Sequence, residues 1–195
     1  MSSASARLGV FALALRVIGL GVVLFALWYA AARPLSLAVA WEAAVMLQAA
    51  PVERARPRWS AGQVAFDVEL DGATTYRNRL RPDAVFEIIV KPLKQTFGVA
   101  FFLALLLASR PPRIARRAVL GVTILLVLAG FGVACEVAIN LGTLTAPGGV
   151  ALLDFGAVAA TFAALGFQLG TLVFPTVGPV MLWLAMDQRY LLAVA

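Results

Sequence analysis

From Leu8 to Ala32 the chain carries a single charge, Arg16, in a run of aliphatic, small and aromatic residues. A helix of about 20 apolar residues crosses the hydrocarbon core of a bilayer, so this run has the length of a membrane span. Three more apolar stretches follow at 94–109, 118–139 and 155–186. The chain is 62% hydrophobic and 13% charged, whereas soluble domains lie near ~45–50% and ~25%. No water-soluble core of 195 residues absorbs that excess. The expected fold is an α-helical integral membrane protein with four transmembrane helices. The second stretch is short for a crossing unless it reaches back through Leu93.

Two readings of the first run compete. Arg7 with the small residues Ala30 and Ala32 fits a cleaved signal peptide. The run is long for such a segment, however, and Trp28 and Tyr29 stand where an interfacial aromatic belt anchors a retained helix. We read it as an anchor. Orientation follows from "RPPRIARR", which packs Arg110, Arg113, Arg116 and Arg117 into one short loop at 110–117 without an acid. Basic residues in short loops mark the cytoplasmic side. Both termini, with Arg7 and the 187–195 tail carrying Arg189, are then cytoplasmic, and 33–93 and 140–154 face outward.

The outward segment 33–93 is expected to hold an interfacial helix over Pro34 to Pro51, apolar except for Glu42. After it, Val64, Phe66, Val68 and Leu70 alternate with Gln63, Ala65, Asp67 and Glu69, the period of a strand. Asp71-Gly72 reads as the turn of a β-hairpin. The insert is thus a small α+β unit whose hairpin packs on the membrane-proximal helix or on a partner, since a lone hairpin is marginal in water.

The last stretch is unusual in carrying Gly166, Gln168, Gly170, Pro175, Gly178 and Pro179. Prolines four apart lie on one helix face, and this pair predicts a kink near mid-span. Gly166 and Gly170, with the Ala159/Ala163 and Ala160/Ala164 pairs, form a small-xxx-small pattern that lets helices approach closely in lipid. An internal contact and a contact with another membrane protein both fit it. A proline-broken helix can also line a transport path, but Gln168 is the one strongly polar side chain between Asp154 and Asp187. Charged residues near spans are candidates by default. Arg16 and Glu136 fall at opposite depths, whereas Lys91 and Lys94 enter the second span from the side where Glu136 lies.

The chemistry open to the chain is narrow. It has no histidine, the commonest general base, and Cys135 therefore lacks a histidine to activate it. A serine–lysine pair would have to use Lys91 or Lys94, and Ser109 is expected across the membrane from both. No metal-ligand cluster or phosphate-binding glycine loop occurs, so neither a metal nor another cofactor is expected. The net charge of +6 is spread between apolar runs, where it meets lipid headgroups, and does not form the single face that nucleic acid requires.

Two segments resemble a known family. "KPLKQTFGVAFFLALLLAS", residues 91–109, is a Pro-Leu-Lys entry into a leucine- and alanine-rich span. In the last stretch, Gln168-x-Gly170 precedes Pro175-Thr176, Pro179 and "MLWL" before a short basic tail. In this order and spacing they are similar to the exosortase H-associated membrane proteins of Gram-negative bacteria. Lys91, Gln95 and Phe167 depart from the family pattern. The resemblance implies a non-enzymatic inner-membrane accessory of a system that cleaves and sorts proteins bearing a C-terminal membrane anchor. Its implied partners are the lipid bilayer and a membrane-embedded exosortase or its substrate, and it implies no catalytic residues. The alternative is a small transporter or channel subunit using the proline-broken last helix. Lys94, Glu136, Gly166, Gln168, Gly170, Pro175 and Pro179 are the candidate partner-packing or structural residues.

Overall fold

The computed structural model describes residues 3–48, 52–77, 84–145 and 156–187. Most of the loop expected at 140–154, and the basic tail with Arg189, lie outside them. The chain opens with α1 (Ser3–Ala30) and α2 (Ala32–Leu47), joined through Ala31. Pro34 explains the break between them. A continuous helix would need its missing N–H, whereas in the first turn of a new helix that N–H has no partner to lose.

α2 is the helix expected over Pro34 to Pro51. Its small residues Ala40, Ala43 and Ala44 and the neighbouring Val39 and Leu47 are buried against α5 and the sheet. Strands β1 (Val52–Ser60), β2 (Gln63–Leu70) and β3 (Val85–Val90) form an antiparallel sheet in the order β1-β2-β3. The β2 alternation matches expectation at Val64, Phe66 and Val68, which are fully buried, but Ala65, expected on the opposite face, is buried as well.

The expected hairpin turn is corrected. The β1–β2 loop is Ala61-Gly62, both at positive φ (47° and 80°), as the two-residue turn between twisted strands requires. Asp71-Gly72 instead starts the short helix α3 (Gly72–Arg77). The Asp71 carboxylate accepts from the Thr74 N–H at 2.7 Å, an N-cap. The same Asp-Gly pair serves both purposes, and here the cap prevails. β1 lacked a sequence signal because Pro57 interrupts it; as an edge strand it tolerates the missing N–H. On the sheet's solvent face Arg54 pairs with Glu69 (3.2 Å), and Arg58 reaches both Asp67 (3.1 Å) and Glu87 (2.7 Å).

The remaining helices are α4 (Leu93–Ser109), α5 (Ile114–Thr143), α6 (Gly156–Gln168) and α7 (Phe174–Met186), with a π-helical turn over Leu169–Val173. Among the described residues, three segments are long and apolar enough to cross a membrane: Phe11–Ala30, Ile114–Thr143 and Gly156–Met186. α4 is apolar but shorter, at 17 residues. α5 extends past the expected end at 139. The last stretch is not one continuous α-helix. Its α-helical bonding widens to the π pattern just before Pro175, where the Phe174 N–H reaches back to the Leu169 carbonyl. Thr171 and Thr176 hydroxyls donate to the Phe167 and Leu172 carbonyls, satisfying backbone around the interruption, as irregular helices in lipid require.

α4 is the hub. Near one end, the Trp28 indole of α1 donates to the Thr96 hydroxyl at 3.1 Å. At the other, the Trp183 indole of α7 donates to the Ser109 hydroxyl at 3.1 Å. A buried indole N–H must find an acceptor, and these two fix α1 and α7 to opposite ends of one short helix.

Candidate functional site

The first turn of α4 and the last third of α5 bring three polar side chains together in an otherwise apolar bundle, beside the end of α6. Lys94 and Gln95 follow Pro92 at the entry of α4. Glu136 projects from α5, and its two carboxylate oxygens are divided between them. Lys94 Nζ lies 2.7 Å from Oε1, and Gln95 Nε2 donates to Oε2 at 2.9 Å. The Glu136 side chain keeps 13% of its surface and Lys94 keeps 42%, so the carboxylate is the group that depends on its partners. The Lys94 ammonium also stands 5.1 Å from the centre of the Phe167 ring, within cation–π range. Asn140, one turn beyond Glu136, donates to the Glu136 carbonyl at 2.9 Å. Glu136, Ile139, Asn140 and Phe167 line an open recess of about 130 Å³. Arg16 is exposed on α1, away from this cluster.

Directly beneath the charges runs a seam of glycines. A Cβ on Gly132 would come within 2.5 Å of Gln95 Oε1 and 2.8 Å of the Gly170 Cα. Reciprocally, a Cβ on Gly170 would meet the Gly132 Cα at 2.5 Å. The π-turn and α5 therefore touch backbone to backbone, as small residues permit in lipid. Gln95 Oε1 is buried without a conventional donor among the described residues and rests on this glycine pair. Gly166 packs against the Cys135 sulfur and the Phe131 ring. On the neighbouring side, a Cβ on Gly98 of α4 would lie 2.7 Å from the Pro175 carbonyl oxygen and 3.0 Å from the Pro179 ring. Proline at 179 has no N–H to bind that carbonyl, and the bare Gly98 backbone fills the space before it.

The structure thus gathers Lys94, Glu136, Gly166, Gly170, Pro175 and Pro179 around α4 and α5. Gln168 is exposed and stays outside the group. Gly98, Gly132 and Gln95 are the partners that sequence reasoning did not supply. A glycine inside each of two apolar helices was the available signal, but pairing them requires knowing which helices touch. A second carboxylate, Glu42 of α2, lies against Gly130 of α5, where a Cβ would meet its Oε2 at 2.8 Å. Burial there pushes the Glu42 carboxyl above its ordinary value.

Both oxygens of Glu136 are occupied and the Lys94 ammonium is paired, so the arrangement clamps α4, α5 and α6 together beside an open recess. Among the described residues, no group of three or more histidine, cysteine, aspartate or glutamate side chains comes together to hold a metal ion.

No curated protein and no solved structure matches the chain. The profile of the exosortase H-associated membrane protein family matches residues 7–190. That span takes in the anchor, the sheet, the charged cluster and the glycine–proline seam, and the chain belongs to this family.

Proposed function

We propose that the protein is a non-enzymatic accessory of an exosortase-dependent protein-sorting system in the bacterial inner membrane. The observation that carries this reading is the family match over 7–190, whose description names association with exosortase H. In this reading the chain crosses the membrane four times, at 8–32, 94–109, 118–139 and 155–186, with both termini in the cytoplasm. α4 is the short crossing. At ~1.5 Å per residue it is about 25 Å long, and Lys91 and Lys94 at one end and Arg110 at the other suit the two headgroup regions. The charged cluster and the glycine seam hold the helices as one body. That leaves the outward faces of α1 and of α6–α7 for lipid or a partner's helices, with Phe11, Ile18, Val22, Val158, Phe162, Leu172 and Met181 all exposed.

Deleting the gene in a cell that keeps its exosortase H is expected to leave sorted proteins with their C-terminal anchors uncleaved, seen as a mass shift on blots. Supplying the chain in trans should restore processing. Unchanged cleavage in the deletion strain would remove the accessory role.

A further inference from the structure

The turn between α4 and α5 concentrates positive charge with no ion-pair partner for it among the described residues. Arg110 and Arg113 both hold left-handed backbone (φ 48° and 56°), and Arg113 is the N-cap of α5 without a side-chain cap bond. Arg116 and Arg117 occupy the first helical turn, so four guanidinium groups surround a helix end that is itself positive. None of the four has an ion pair among the described residues. Arg110, Arg113 and Arg116 are exposed, and Arg117 Nη1 is enclosed without an acceptor among the described residues. The acid at this end of the bundle, Asp187, is 2% exposed and enclosed in the interior. Like charges gathered at one helix end repel one another, and an anion placed among them is favoured.

The surface beside it indicates which anion. Arg116, Val119 and Leu120 share one face of α5, at spacings of three and four residues, and Val119 and Leu120 are 69% and 53% exposed. Exposed Thr123 and Val127 continue the strip over about 16 Å from Arg116. A cationic head above an apolar track of that length complements a phosphate joined to an acyl chain. We infer that the α4–α5 turn binds the headgroup phosphate of an anionic phospholipid, whose chain lies along α5 from Val119 to Val127. Guanidinium groups suit this role because their forked donors match phosphate oxygens.

The test uses the full chain in nanodiscs of mixed phosphatidylglycerol and phosphatidylethanolamine, with retained lipid read by native mass spectrometry. Wild type should hold phosphatidylglycerol preferentially. Arg113→Gln with Arg116→Gln should lower that preference by roughly fivefold per charge removed, while Arg56→Gln on the exposed sheet face changes nothing. Circular dichroism checks folding, and Arg116→Gln alone, expected to show the single fivefold loss, serves if the double variant does not fold. Equal retention of the two lipids by wild type, or undiminished preference in the folded variants, would overturn the site. Displacement of the lipid by excess inorganic phosphate would also overturn it, by making the ligand a soluble anion.

Discussion

Gly170→Leu is expected to lower the melting temperature of the detergent-purified protein by roughly 6–12 °C. A Cβ at this position would sit 2.5 Å from the Gly132 Cα, which is backbone and has no rotamer by which to yield. α5 and the π-turn must therefore separate. In lipid, the close packing they lose is the principal force between helices. Overpacking of this kind costs on the order of 3 kcal/mol, and each kcal/mol shifts the midpoint of a chain this size by about 2–4 °C. Gly132→Leu should do at least as much, because its side chain would also strike Gln95 Oε1 and disturb the charged cluster. Leu172→Ala, at a position 66% exposed, is the control and should stay close to wild type. A melting temperature unchanged by Gly170→Leu would show that the seam is not a packing contact.

The second large effect is expected at Lys94. Lys94→Met removes the ammonium from a carboxylate whose side chain is 13% exposed, leaving Gln95 as its remaining side-chain donor. An under-satisfied buried polar group costs about 1–3 kcal/mol. Lys94 is itself 42% exposed, and water replaces part of what it provides, so the loss should fall toward the lower end. Glu136→Gln removes the charge as well and keeps a carbonyl oxygen to accept from the buried Gln95 amide. The costly state is an enclosed charge left without its partner, so the double variant should recover most of the stability lost by Lys94→Met alone. Thermal unfolding of the two single variants and the double variant forms a mutant cycle. Simple addition of the two losses would mean that the ion pair does not couple α4 to α5.

How far these features were legible in the sequence varies with how local they are. The β2 alternation is a property of consecutive residues and needs no neighbour. The Lys94–Glu136 meeting follows from depth, since one enters its span from the side that the other approaches. Asp71-Gly72 misled because an aspartate before a glycine fits a tight turn and a helix cap equally, and the location of the preceding strand decides between them. β1 was hidden by Pro57 and by arginines that become readable only once Asp67, Glu69 and Glu87 stand opposite. The π-turn was beyond local reasoning. Pro175 and Pro179 announce an interruption, but its form depends on Gly132 and Gly98, distant in sequence and adjacent in the bundle.

The most direct measurement is capture of exosortase H by this chain from native membranes. With a tag on the chain, membrane crosslinking before solubilisation and quantitative mass spectrometry of the eluate, exosortase H should be enriched far above a control multi-pass protein of equal abundance. Absence of exosortase H from the eluate, with the tagged chain folded and at normal membrane level, would contradict an accessory that works at the exosortase.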